Sequence, residues 1–153
     1  DHWFGKAESR LLAGWNPFDP STAAVFFDPE WMFGVRDGFD IVIGNPPYVR
    51  ADEPSDRNVA LRAAVLGSGE YETLWEKWDL YVAFIERGYK LLRPRGITTM
   101  IVSDAYCHSK YAEKSQKWFL KNAAVLRLDF LAGCGKSHHA VAGMPVLALE
   151  AAA

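Results

Sequence analysis

Residues Phe39 to Gly44 (FDIVIG) form an almost unbroken apolar run that ends directly against Asn45-Pro46-Pro47-Tyr48. A short run of this kind, rich in β-branched residues, reads as a strand buried on both faces of a parallel sheet. Two successive prolines remove two N–H donors and fix φ, so neither a ladder nor a helix can continue past Gly44. A loop must therefore open at the carboxyl end of the strand, where open α/β sheets place their sites.

The elements that follow suit that reading. Tyr81, Phe84, Ile85, Gly88, Leu91 and Leu92 recur at helical spacing over residues 79–92 until Arg93-Pro94-Arg95-Gly96 ends the run, and residues 97–103 (ITTMIVS) are again β-branched and apolar. Strand, helix, strand makes a βαβ crossover, right-handed in nearly all proteins. A shorter helix over 56–66 is capped by Ser55 or Asp56 and ended by Gly67-Ser68-Gly69. A further helix, marked by Tyr111, Ser115, Trp118, Phe119 and Asn122, runs through Lys121. Residues 125–131 alternate Leu126, Leu128 and Phe130 with Arg127 and Asp129, and 145–149 form another strand. The fold class is α/β, with a mostly parallel sheet whose last strand runs antiparallel.

Two parts are expected. Residues 1–37 carry many aromatics broken by Asn16-Pro17, Asp19-Pro20 and Asp28-Pro29, which predicts an irregular arm packed on a core. Residues 38–153 form a partial catalytic domain. With no starting Met and a last strand that stops at Ala151-Ala152-Ala153, the chain reads as a fragment of a longer parent. Its 17 Lys plus Arg against 19 Asp plus Glu leave no whole-chain field to attract a polyanion, so a nucleic-acid surface would have to be local. Cys107 and Cys134 lack paired spacing and are expected as free thiols in a reducing cytoplasm. No apolar run approaches the ~20 residues of a membrane span, so no membrane partner is expected.

The Asn-Pro-Pro-Tyr loop carries the chemistry. An exocyclic amine conjugated to a ring is a poor nucleophile until its nitrogen is drawn toward tetrahedral geometry. Two acceptors aimed at its two N–H groups do that: the Asn45 carboxamide oxygen and the Pro46 backbone carbonyl. The prolines, Pro46 and Pro47, hold both acceptors rigid, so no reorientation is needed as charge develops. If the amine belongs to a base in a duplex, that base must be flipped out, and Tyr48 is a flat partner for its face.

These residues resemble the amino-methylating DNA methyltransferases, most closely the large restriction-modification enzymes of the Eco57I-like type. FFDPEWMFGV and GFDIVIGNPPYVR resemble the approach to the family's catalytic motif, WDLYVAFIERGYKLLRPRG its next motif and helix, and ITTMIVSDAYCHSKYAEK the strand after that. The resemblance implies a Rossmann-like S-adenosylmethionine-dependent methyltransferase fold, of which this chain holds the C-terminal half of the sheet. It implies adenine-N6 methylation of double-stranded DNA, with Asn45, Pro46 and Tyr48 holding the flipped adenine. Asp79, Leu80 and Tyr81 would line the wall between adenine and cofactor, and Asn45 and Asp79 would also face S-adenosylmethionine. Asp79 can equally be a helix N-cap. Arg95 stands where the family has a glycine, and Gly96 is expected to supply the positive φ of that turn. The family's glycine-rich cofactor loop and target-recognition domain are missing from the chain, so the fragment alone is expected to be inactive.

Other patterns are weaker. Gly133-Cys134-Gly135-Lys136-Ser137 lacks the first glycine of a P-loop, because position 130 is Phe. Cys134, His138 and His139 do not have zinc spacing, and no metal is expected. Lys110, Lys114, Lys117 and Lys121 step along one helix and are candidates for phosphate contact, Lys110 foremost, or are a solvated face. Two other functions suit the same loop: a protein-glutamine methyltransferase, whose amide presents the same two N–H donors, and a non-catalytic DNA-binding remnant.

Overall fold

The computed structural model describes residues 10, 13–14, 16, 18–19, 27–50, 55–131 and 144–152. The Cys134, Lys136, Ser137, His138 and His139 patterns, and the arm aromatics Trp3, Phe4, Trp15 and Phe26, lie outside the described residues. The chain divides into two compact units, Asp1–Arg36 and Asp37–Ala153.

Within the first unit, a stretch expected to be irregular contains helix α1, Pro29–Phe33. Proline suits the first position of a helix, where its missing N–H has no intrahelical partner to lose. Phe27 and Phe33 pack their rings 6.2 Å apart, and Arg36 pairs with Glu30 at 2.9 Å.

The second unit is built on four strands in the order β1-β2-β4-β3: β1 Phe39–Gly44, β2 Leu92–Ile101, β3 Ala123–Leu131 and β4 Met144–Ala151. β1 and β2 are parallel, and β4 runs antiparallel to both β2 and β3. Three strands therefore share one direction and the last is reversed between two of them. Helices α2 (Asp56–Gly67) and α3 (Leu80–Lys90) lie in the β1-to-β2 crossover. Helix α4 (Ala105–His108), a 3₁₀ turn (Lys110–Ala112) and α5 (Glu113–Asn122) lead from β2 to β3. The expected helix through Lys121 is present, with Lys110–Ala112 as a 3₁₀ first turn and its start set by Ser109, whose φ of −82° and ψ of 139° are extended.

Helix α3 buries Tyr81, Val82 and Ile85 against Met100, Leu147 and Leu149 of the sheet and against Val102, Tyr106 and Phe119. Burying six or more such side chains, each contributing roughly 1.5 to 3 kcal/mol, makes this the main source of stability. Gly88 permits the close approach: a Cβ there would stand 2.5 Å from the Met100 side chain and 3.0 Å from Thr98 Oγ1. Helix α2 has no buried residue of its own, and starts where Ser55 Oγ accepts from Asn58 N at 3.2 Å. Gly67-Ser68-Gly69 ends it as expected, Gly69 turning the chain at a φ of +67°.

Two expectations are corrected. β1 is not buried on both faces: Ile41 is 61% and Ile43 78% exposed, while Val42 packs against the core. Among the described residues β1 is an edge strand, and the helices of this unit that pack on the sheet cover only the face bearing Val42, Thr98 and Met100. The second correction concerns the turn after α3. The helix ends at Lys90, and Arg93-Pro94-Arg95-Gly96 lies inside β2 as a bulge: Phe39 pairs with Leu92 while Ile41 pairs with Ile97. The positive φ falls on Arg95, at 63°, and not on Gly96. Gly96 is required for space instead, since a Cβ would meet the Phe39 carbonyl oxygen at 2.7 Å.

Candidate active site

The Asn45-Pro46-Pro47-Tyr48 loop leaves the C-terminal end of β1 and lies over the end of β2. The Tyr48 hydroxyl is 2.9 Å from the carbonyl oxygen of Ile101, the last residue of β2, and 3.2 Å from Asn45 Oδ1. A phenol has one hydrogen to donate, and the shorter distance assigns it to Ile101. Asn45 is exposed and its carboxamide oxygen keeps acceptor capacity, whereas Pro46 is buried and wedges the turn in place. No hydrogen bond to the Pro46 carbonyl is made among the described residues. Tyr48 leaves 37% of its surface open, so its ring is pinned at the hydroxyl and free on a face. Burial first, and then the Asp79 charge, push its pKa above the ordinary tyrosine value, so it stays a neutral donor.

Asp79, 6% exposed, joins this loop to α3. Its Oδ1 accepts from Val49 N at 3.1 Å, and Leu80 N donates to the Val49 carbonyl at 3.2 Å. Asp79 occupies the N-cap position of α3 without closing a cap bond of normal geometry. Asp79 thus holds the position of a cap, with its carboxylate turned to the Asn-Pro-Pro-Tyr loop. Burial raises its pKa, and the N–H groups of Tyr81, Val49 and Leu80, with the Arg62 charge, work against that rise.

Tyr81 is fully buried, its ring 6.1 Å from that of Tyr48 and edge-on to Tyr106 at 6.1 Å, with its hydroxyl 2.8 Å from that of Tyr111. Desolvation drives its pKa far up, so it is a neutral structural wall. Leu80 points elsewhere, into a second cluster with Trp78 and Ala83. The structure therefore brings Asn45, Tyr48, Asp79 and Tyr81 together, and buries the Leu80 side chain away from them. Lys110 lies 5.6 Å above the Trp75 ring, beside Ser109 and Tyr111, which line a cavity of about 420 Å³ reached by Asp79. In the rest of the lysine row, Lys117 pairs with Glu113 at 3.2 Å, and Lys114 donates to the Leu74 carbonyl at 3.4 Å.

Several supporting residues carried little signal in the sequence. Arg62 of α2 stacks 4.0 Å over Trp78 and donates to its carbonyl oxygen at 2.5 Å, which fixes the backbone just before Asp79. Glu86, with no exposed side-chain surface, accepts from Thr73 N at 2.9 Å, Thr73 Oγ1 at 2.6 Å and Glu72 N at 2.8 Å, and pairs with Lys90 at 2.6 Å. It anchors the segment that runs up to Asp79. A carboxylate on the apolar face of α3 was the one available clue.

The topology agrees with comparisons to known proteins. A Listeria monocytogenes protein described as a class I S-adenosylmethionine-dependent methyltransferase superposes with a TM-score of 0.55 at 25% identity, over 78% of this chain and 33% of its own. The fold is thus the Rossmann-like fold of that class. The sequence profile of the Eco57I restriction-modification methylase family matches residues 3–134, and the chain belongs to that family. It is 34% identical over 87 residues to the type II methyltransferase M.BstVI of Geobacillus stearothermophilus, and 36% over 75 residues to M.XhoI of Xanthomonas vasicola. It is 24% identical over 95 residues to the type II restriction enzyme and methyltransferase RM.Eco57I of Escherichia coli. These matches take in 57%, 48% and 59% of this chain but only 15%, 12% and 9% of the relatives. Among the described residues, no helix is long and apolar enough to cross a membrane, and no group of His, Cys, Asp or Glu is placed to hold a metal.

Proposed function

We propose that this chain is the substrate-holding part of a DNA methyltransferase that transfers a methyl group to the N6 amine of a flipped adenine. The observation that carries the reading is the open carboxamide of Asn45 beside the half-exposed, hydroxyl-pinned ring of Tyr48 at the C-terminal end of the parallel pair. Asn45 Oδ1 and the Pro46 carbonyl accept from the two N6–H groups and draw the nitrogen toward tetrahedral geometry. Tyr48 stacks on the base, and the Asp79 bridge to Val49 keeps the loop in register. When bound, S-adenosylmethionine would supply the methyl group, with the electron pair of the S–C bond staying on its sulfur. The methylated amine then loses a proton to solvent, which needs no strong base. Asn45 and Asp79 form this chain's wall of the cofactor site: one is exposed and the other reaches an open cavity, so both fit the role.

The named relatives are type II methyltransferases or restriction enzymes, which does not favour the protein-glutamine reading. In the full-length protein, Asn45→Ala should cut N6-methyladenine formation at least ~100-fold, the usual cost of losing one preorganised polar group at a developing charge, while DNA affinity stays within a few-fold. Mass spectrometry of nucleosides from treated plasmid reads the first quantity. Unchanged methylation would end the assignment.

A further inference from the structure

A hydrogen bond at a tyrosine hydroxyl fixes the long axis of the ring but not rotation about that axis, because the oxygen lies on it. The bond from Tyr48 to the Ile101 carbonyl therefore leaves the plane of the ring to be set by what lies against it. That neighbour is Tyr81, whose ring stands 6.1 Å away and is tilted by 55°. Tyr81 is fully buried, and its own ring meets Tyr106 edge-on at an interplanar angle of 73°. Its hydroxyl has one hydrogen-bond partner among the described residues, the Tyr111 hydroxyl at 2.8 Å.

Tyr111 is itself firmly held. It sits in the 3₁₀ turn Lys110–Ala112, where the Ala112 amide donates to the Ser109 carbonyl at 3.0 Å, and it packs against both buried clusters of this unit. The two hydroxyls are unequal in what they can lose. Tyr111 is half-buried and lines the cavity that Asp79 reaches, whereas Tyr81 is sealed from solvent. A sealed hydroxyl without a partner carries the full desolvation penalty, so its ring must shift to find another.

We propose that Tyr111 is a positioning residue for methyl transfer: its hydroxyl fixes Tyr81, and Tyr81 sets the plane in which Tyr48 offers its face to the base. This rests on the reading of Tyr48 as the platform of the target base. A small misplacement of a reacting group lowers the rate of the chemical step, and Tyr111 thus acts on turnover without touching the base.

Steady-state transfer of labelled methyl groups from S-adenosylmethionine to plasmid DNA by the full-length protein tests this, with rates expressed per folded molecule. Tyr111→Phe should lower kcat about tenfold and leave KM for DNA within about twofold, since a stranded buried hydroxyl shifts an equilibrium by roughly that factor. In a Tyr81→Phe background no sealed hydroxyl is left to strand, and the same substitution should lower kcat less than about twofold. A purely structural role would reduce the folded fraction and not the rate per folded molecule. The proposal is overturned if Tyr111→Phe leaves kcat unchanged, if it costs as much in the Tyr81→Phe background as in the wild type, or if the loss falls on KM alone. A Tyr111→Phe chain that does not fold overturns it as well, by making the hydroxyl structural. Failure of the adenine reading looks different: nucleoside analysis of the product would find the label on another base, whatever the variants do to the rate.

Discussion

Replacing Glu86 by alanine should destabilise the protein by about 3 to 5 kcal/mol, chiefly the cost of leaving buried hydrogen-bond donors without their acceptor. The structure supports that magnitude group by group. Thr73 is fully buried, and both its amide and its hydroxyl end on Glu86 Oε2, at 2.9 and 2.6 Å. Without the carboxylate each becomes a buried donor with no acceptor, at roughly 1 to 3 kcal/mol apiece. The Glu72 amide loses a 2.8 Å bond as well. Lys90 costs little, because its side chain is 30% exposed and Glu72 lies 3.5 Å away as a second partner. Against a typical total of about 5 to 15 kcal/mol, the loss is a large fraction of all stability.

Urea unfolding followed by tryptophan fluorescence, at constant m, measures it. A shift in midpoint equivalent to less than about 1 kcal/mol would refute the account of Glu86 as the anchor of the segment before Asp79. The pH dependence adds a second arm. Burial alone would raise the Glu86 pKa, but Lys90, the Thr73 hydroxyl and the amides of Glu72 and Thr73 hold it below the 4.5 of a free glutamate. A carboxyl depressed in the folded state stabilises above its unfolded pKa and loses that contribution as pH falls through its folded value. The gap between wild type and Glu86→Gln should therefore be constant at neutral pH and narrow only below about pH 4.5. Asp79, whose pKa is raised, contributes in the opposite sense, more at low pH than at neutral, but it is present in both proteins and cancels.

Three further outcomes are expected. The Thr98 hydroxyl is buried with no hydrogen-bond partner among the described residues, so Thr98→Val should stabilise by about 1 kcal/mol in the same assay; a loss would mean the hydroxyl has an acceptor. Arg95 holds a left-handed conformation at φ 63° on an exposed bulge, so Arg95→Gly should raise stability by roughly 1 kcal/mol in thermal melts, and destabilisation would show that its side chain matters more than the strain. Tyr48→Phe keeps the stacking face but frees the ring from the Ile101 carbonyl, and should lower the methylation rate only several-fold. Tyr48→Ala should cost about 1 to 3 kcal/mol of base stacking, and equal loss in both would mean the hydroxyl, not the ring, is what counts.

Everything set by a few neighbouring residues was legible in the chain itself. A β-branched run stopped by two prolines gave a strand and a loop at its carboxyl end, Ser55 capped α2, and the apolar spacing of Tyr81 and Ile85 gave α3 its buried face. The same local chemistry singled out Asn45 and Tyr48. Tertiary structure decided what those residues meet, across separations no local rule spans: Asp79 reaches back 30 residues to Val49, Tyr48 bonds Ile101 53 residues on, and Arg62 covers Trp78 16 residues away. It also decided which face of β1 is covered and which residue takes the left-handed turn at Arg95. Propensity and periodicity act over one or two turns of chain, whereas burial, pairing and strain depend on which surfaces the folded chain brings into contact.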